Sequence, residues 1–297
     1  MTDSILIFDS GAGGLSVLNE VRQALPGVPL HFLLDSGLFP YGNQDDETLA
    51  QRIPDLCADA VESLQPSVLI LACNTASTLA LPALRARLDI PVVGVVPAIR
   101  VAANHCRSAN QYSFGLLATP ATVRREYTDQ LISDFAKGLN VVRFGSPDLV
   151  SIAEKYLETK AERYLDTKAD RHLAEKTEQL HDREAIERNL FEHLNPWLLQ
   201  HPECQHVVLG CTHYPLLRPL LEKFWPSIHW VDSGAAVARQ AARVFDDHAQ
   251  AQKLEQNTAH PRPHNNAISI YWTGSERPNG VLRALSPDVA EARHWNS

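Results

Sequence analysis

The residues best suited to chemistry are two cysteines. VLILACNT at 68–75 and VVLGCTH at 207–213 each carry an apolar run straight into a cysteine, with small polar side chains behind it. Cys73 is followed by Asn74 and Thr75, which open NTASTLALPALRARL, a stretch with helical spacing. A thiol where a strand gives way to a helix lies near free N-terminal amides, and these amides and the helix dipole favour the thiolate. Cys211 repeats the pattern with Thr212 and His213, and an imidazole is the usual partner of a reactive thiol. A lone cysteine at a strand end is commonly an inert core residue. Two of them, each with its own polar helpers, suit proton removal from one face of a substrate and return to the other. A metal site would draw on Cys73, Cys211, His213 and His206. Structural zinc ligands usually come in closely spaced pairs, however, and no two of the five cysteines form a Cys-x-x-Cys pair.

Weaker signals surround these two. In DSGAGG at 9–14 the glycines fit neither GxGxxG nor the lysine-containing phosphate loop. The loop suits amides and the Ser10 hydroxyl gathered around a carboxylate, with Asp9 as a charge or proton partner. Capping of the next helix by Asp9 is an equal alternative. Pro40, Tyr41 and Gly42 read as a tight turn. Thr119 and Thr122, in ATPATV, stand near a strand end, where helix capping is the default role. Glu154 reads from composition alone as surface charge.

These side chains need a frame to hold them. Short apolar runs at 4–9, 29–35, 67–72, 91–96, 112–118, 139–144, 206–210, 227–232 and 267–272 alternate with stretches of helical spacing. That order predicts an α/β fold with a mostly parallel sheet and helices on both faces. The runs are apolar at consecutive positions, as strands buried on both sides require. ILIFDSGAGG is echoed by IHWVDSGAAV, and VLILACNTA by HVVLGCTHY. Both pairs fit a site built where strands end. Residues 153–176 hold three near-copies of an octad, AEKYLETK, AERYLDTK and ADRHLAEK. Eight residues advance a helical stripe by about 80°, so this is no heptad seam and reads as a long charged surface helix, with a partner-binding arm as the alternative. Residues 247–266 are polar and read as an exposed linker before the last strand.

The whole chain narrows the function. Its 297 residues have room for two domains, and 44% hydrophobic content supports a true core. The formal charge of −8 argues against broad nucleic-acid or anionic-membrane binding. No run reaches the roughly 18 apolar residues of a membrane span. MTDSILIFDS has no signal-peptide pattern, and the scattered odd cysteines suggest no disulfide framework, so a cytoplasmic location is expected.

FDSGAGGLSVL, PYG, ACNTAS, GVVPAI, LLATPATV, PDLVSIAE and LGCTHYPLL, in this order and across nearly the whole chain, resemble the glutamate racemase branch of the aspartate/glutamate racemase family. The resemblance implies two similar doubly wound α/β domains with the active site in the cleft between them. Residues 1–97 with 211–297 would form the first, and 98–210 the second, with a charged helical insertion at about 155–190. It implies cofactor-independent, metal-free racemisation of L- and D-glutamate at Cα, supplying D-glutamate for peptidoglycan. Cys73 would take the proton from D-glutamate with help from Asp9, and Cys211 from L-glutamate with help from His213 and Glu154. Substrate contacts would fall on Asp9, Ser10, Pro40, Tyr41, Gly42, Asn74, Thr75, Thr119, Thr122, Thr212 and His213. A homodimer and a cell-wall precursor as activator are also implied. The alternatives are an aspartate racemase of the same family, and a non-catalytic carboxylate-binding or regulatory protein. The chain departs from the family pattern at Ser146-Pro147-Asp148, where Cys-Pro-Glu is common, and a second Ala-Glu pair at 161–162 echoes the one at Glu154.

Overall fold

The computed structural model describes residues 4–165, 173–256, 267–286 and 288–296. The chain divides into two compact units. One comprises Met1–Val96, Ser233–Pro278 and Leu285–Ser297, and the other Pro97–Asp232 and Asn279–Ala284.

The first unit begins with β1 (Ile5–Asp9), α1 (Leu15–Ala24), β2 (Leu30–Leu34), α2 (Asp46–Leu64), β3 (Val68–Leu71), α3 (Asn74–Arg87) and β4 (Val92–Gly94). The second carries α4 (Ile99–Ser108), β5 (Ser113–Ala118), α5 (Pro120–Arg124), α6 (Glu126–Phe135), β6 (Asn140–Gly145), α7 (Leu149–Leu165), α8 (Leu173–Gln200), β7 (His206–Leu209), α9 (Arg218–Phe224) and β8 (His229–Val231). The remaining elements are α10 (Gly234–Gln256), β9 (Ile268–Trp272), α11 (Asn279–Leu285) and β10 (Val289–His294).

The fold is α/β, with a six-stranded sheet ordered β10-β9-β2-β1-β3-β4 and a four-stranded sheet ordered β6-β5-β7-β8. Every ladder in both is parallel. The central strands explain this: Ile5 to Phe8 and Val68 to Leu71 are wholly buried, so both faces need a helical cover. Each sheet reverses its winding beside its first strand. The reversal falls between β1 and β3 in the larger sheet and between β5 and β7 in the smaller. Open α/β sheets hold ligands beyond the carboxyl ends of strands at such reversals. Asp9 and the chain leading to Cys73 end one pair, and the chains leading to Thr119 and Cys211 end the other.

Several boundaries differ from the sequence expectation. Residues 211–232 stay with the second unit, and the chain returns at Ser233 rather than 211, because β8 is hydrogen-bonded to β7. Residues 279–284 belong to that second unit too, where Gly280 lies near Glu158. The stretch expected as a linker from 247 is helical as far as Gln256, in α10, while 257–266 lie outside the described residues. β10 was not anticipated, for four of its six residues are exposed at the sheet edge. Of the octads, Ala153, Tyr156 and Leu157 turn a buried face inward, so α7 is not purely a surface helix. Residues 166–172 fall outside the described ones. Among the described residues no helix is long and apolar enough to cross a membrane.

Candidate active site

In the first unit the site grows from the ends of β1 and β3. Gly14 permits it: a Cβ there would lie 2.7 Å from the Phe32 ring and 2.9 Å from Cβ of Asp9, so only glycine lets the turn fold back against the strand. Asp9 is fully buried, and the N-cap positions of the 3-10 turn at Ala12–Gly14 and of α1 are held by Gly11 and Gly14. Asp9 Oδ1 accepts from the Ser10 hydroxyl and from the Gly11 amide, both at 3.3 Å. Ser10 Oγ in turn lies 4.0 Å from Cys73 Sγ. Cys73 is the N-cap residue of α3, with extended backbone and no side-chain capping hydrogen bond, so its sulfur lies at the positive end of the helix dipole without receiving a helix amide. Asn74 and Thr75 open that helix and are buried. Asn74 Oδ1 has no hydrogen-bond partner, an acceptor kept from water with nothing of the described protein to satisfy it.

The turn at 40–42 contributes backbone more than side chain. Asn43 N–H donates to the Pro40 carbonyl at 3.1 Å and Gln44 N–H to that of Tyr41 at 3.2 Å. Pro40 and Gly42 are half-buried, and the Phe39–Pro40 peptide is cis. Tyr41 points inward. Its hydroxyl donates to Asp35 Oδ2 at 2.7 Å, and burial followed by the Asp35 charge raises its pKa far above the phenol range. Asp35 is also gripped by Arg52 through Nε at 2.7 Å and a second guanidinium nitrogen at 2.6 Å, and by the Thr273 hydroxyl. Burial alone would raise the Asp35 carboxyl, but hydrogen bonds from Arg52, Thr273 and Tyr41 bring it below the ordinary value. Asp35 and Arg52 went unread in the sequence. A strand-end acid just before a Pro-Tyr-Gly turn was the available signal, whereas Thr273 comes from a strand far along the chain.

In the second unit Cys211 follows β7, but the echo of Cys73 is incomplete. The chain enters a 3-10 turn at Tyr214–Leu217 instead of an α-helix, and the Tyr214 amide donates back to the Cys211 carbonyl at 3.1 Å. The helix-dipole argument therefore holds for Cys73 and not for Cys211. An imidazole takes its place: His213 Nδ1 lies 3.8 Å from Cys211 Sγ, and His213 Nε2 lies 2.8 Å from Glu154 Oε1 on α7. Glu154 is thus part of a relay and not surface charge, while the side chain of Glu162 is outside the described residues. Burial pushes the His213 pKa down, but the hydrogen bonds to Cys211 and Glu154 and their charges outweigh it and leave it well above 6.5. Thr212 is buried beside them. Thr119 is the N-cap of α5, accepting from the Thr122 amide at 3.3 Å, and the two hydroxyls are 2.9 Å apart. Capping and a role facing ligand are compatible there, since whichever hydroxyl donates to the other, each keeps a donor or acceptor position open.

One candidate ligand lies elsewhere. His206 sits at the opposite end of β7, with Nδ1 2.7 Å from Gln111 Oε1 and its ring stacked on His229. Among the described residues no group of three or more His, Cys, Asp or Glu could hold a metal ion. Asp232, the echo of Asp9, is ion-paired with Arg218.

Comparison with known proteins follows the same lines. The chain is 38% identical to a glutamate racemase of Klebsiella pneumoniae over 86% of this chain and 82% of that one. It is 37% identical to a glutamate racemase of a Shewanella species over 96% and 93%. It superposes on the crystal structure of Escherichia coli glutamate racemase, in complex with L-glutamate and the activator UDP-MurNAc-ala, with a TM-score of 0.77 at 33% identity over all of both chains. The model of the Asp/Glu/hydantoin racemase family matches residues 5–241, and the chain belongs to that family.

Proposed function

We propose that the protein interconverts L- and D-glutamate by proton transfer at Cα, using Cys73 and Cys211 as the two acid–base groups and no cofactor. The observation that carries this reading is that each unit ends its central strands in a thiol backed by a carboxylate relay. These are Asp9–Ser10–Cys73 in one and Glu154–His213–Cys211 in the other. One thiol begins as thiolate and takes the α-proton, and the other begins as thiol and supplies a proton to the opposite face. Cys73 would act on D-glutamate and Cys211 on L-glutamate.

An amino-acid α-proton is a very weak acid, so the transient carbanion needs fixed donors around the α-carboxylate. Ser10, Thr75, Thr119, Thr122 and Thr212, with the amides of the Pro40–Gly42 turn, are the groups we assign to substrate. The unsatisfied Asn74 Oδ1 suits the substrate ammonium. Glutamate is preferred over aspartate because the relatives that match over most of the chain are named glutamate racemases. Further parts of the reading are a cytoplasmic homodimer that supplies D-glutamate for peptidoglycan and responds to a cell-wall precursor, as the E. coli relative does to UDP-MurNAc-ala.

The test is incubation of the reduced protein with each enantiomer of glutamate and of aspartate in D2O, with and without UDP-MurNAc-ala. Circular dichroism would follow optical activity and NMR the α-proton. Loss of optical activity with deuterium at Cα, for glutamate alone, is the expected result. No exchange with any of the four substrates, with or without activator, would sink the reading.

A further inference from the structure

We propose that Ser146, held by His193, is a positioning residue that sets the Glu154–His213 hydrogen bond behind Cys211. The bond between Glu154 and His213 joins two separate segments, α7 and the turn after β7. Ser146 cross-links the same two segments a second time. Its hydroxyl oxygen accepts from the amide of Leu149, the first residue of α7, at 3.2 Å. Its carbonyl accepts from the hydroxyl of Tyr214, the residue next to His213, at 3.2 Å. Its own amide donates to the Ala118 carbonyl at 2.9 Å, just before Thr119. One wholly buried residue thus fixes the start of the helix that carries Glu154 and the neighbour of the imidazole that Glu154 meets.

His193 decides how that hydroxyl points. Its Nε2 lies 2.7 Å from Ser146 Oγ, and its Nδ1 faces Asp148 Oδ2 at 3.8 Å. A proton on Nδ1, toward the carboxylate, leaves Nε2 to accept from the Ser146 hydroxyl, and the serine oxygen stays open to the Leu149 amide. Phe144 packs on the His193 ring at 5.6 Å and stacks on Trp197 at 5.2 Å, which limits the imidazole to this side of α8. The set has the membership of a serine nucleophile triad, but Ser146 has no exposed surface, so no substrate reaches its oxygen. Its consequence lies in geometry, where small misplacements of an acid–base group lower rates steeply.

The inference rests on the racemase reading, and the experiment separates the two. Ser146→Ala, His193→Ala and His193→Gln would be made in the full chain. Thermal midpoints and kcat/KM would be measured with protiated and α-deuterated L- and D-glutamate. Because the two enantiomers are equal in energy, kcat/KM must fall equally in both directions, so the discriminating readout is the isotope effect. A displaced His213 slows the Cys211 step alone. We expect kcat/KM to fall about tenfold in Ser146→Ala and His193→Ala, the isotope effect to rise with L-glutamate and shrink with D-glutamate, and His193→Gln to recover most of the loss. Isotope effects at wild-type values, with activity falling only in step with the folded fraction, would overturn the proposal. If Ser146→Ala does not fold, the two variants of the part-exposed His193 carry the same test. If the wild-type protein does not racemise glutamate, the functional reading fails, and this one is read from alkylation by iodoacetamide. Slower Cys211 modification in His193→Ala at an unchanged Cys73 rate upholds it, and equal rates overturn it.

Discussion

His213 faces a sulfur through one ring nitrogen and a carboxylate through the other, and these partners raise its pKa well above 6.5 despite its burial. The sign matters for the pH profile. A group whose pKa is raised on folding keeps its charge below that value and loses it as pH climbs through it. While charged, His213 presents a cation to the Cys211 sulfur 3.8 Å away; once neutral, it no longer does. Turnover that starts at Cys211 should therefore decline on the alkaline side at the His213 value, read as a limb in kcat against pH with L-glutamate. His213→Asn should remove that limb and lower kcat by about 10²–10⁴, the usual contribution of a positioned acid–base partner. An unchanged limb in that variant would assign it to another group. Cys211→Ser should abolish racemisation yet leave slow exchange of the α-proton of D-glutamate, because Cys73 and its relay are intact. Deuterium at Cα without loss of optical activity, followed by NMR and circular dichroism, is the signature. Racemisation untouched in Cys211→Ser would exclude a two-thiol mechanism.

The turn at Pro40–Gly42 depends on an ion pair that belongs to neither the turn nor the substrate. Asp35, at the end of β2, receives the bidentate grip of Arg52 from α2 and single hydrogen bonds from Tyr41 and Thr273. Asp35→Asn keeps the shape but removes the charge, and should destabilise the protein by roughly 2–4 kcal/mol, since Arg52 can still reach water. The depressed Asp35 pKa adds a pH signature. Stability from this carboxylate is present above its unfolded value of 3.8 and is lost as pH falls through the lower folded value. The variant should accordingly lose less stability than the wild type on acidification below about pH 4, measured by chemical denaturation at several pH values; parallel loss in both would argue that Asp35 is not ionised. At this scale sequence was informative where the signal is local. Each of the nine apolar runs corresponds to a strand, because core strands advertise themselves by unbroken hydrophobicity, although β6 holds no fully buried residue; Cys73 falls at a strand-to-helix junction, which follows from a change of period. β10 was missed because an edge strand need not be apolar. The return to the first unit was misplaced because sheet membership of residues 211–232 rests on pairing, which composition does not encode. The Asp35–Thr273 and Ser146–His193 contacts were illegible for the same reason, as they join side chains brought together only by the finished fold.

All five cysteines are buried, and the fold treats them unequally. Cys57 is enclosed by the apolar core between α2 and the larger sheet, where burial and then the Asp35 charge raise its pKa. Burial also raises Cys106, and it pushes Cys204 up to about 12, with Glu203 and Cys106 adding to the effect. At pH 7.5 a thiol of that pKa is ionised in only about one molecule in 3 × 10⁴, and the thiolate is the form that reacts. Cys73 and Cys211 keep 6% and 8% of their surface open, against none for Cys57 and Cys106. One sits at a helix N-terminus, a setting that favours the anion, and the other lies 3.8 Å from the His213 imidazole. Brief alkylation of the native protein, located by peptide mass mapping, should therefore label Cys73 and Cys211 at least tenfold faster than Cys57, Cys106 or Cys204, and glutamate should slow those two alone. Glutamate protection of both thiols would further require that one ligand occupy the surroundings of a residue from each unit, which is the central demand of a two-thiol racemase. Protection of Cys73 only would leave Cys211 outside the site and favour a carboxylate-binding protein. Labelling spread evenly over the five would mean that neither the helix terminus nor His213 activates its neighbouring sulfur.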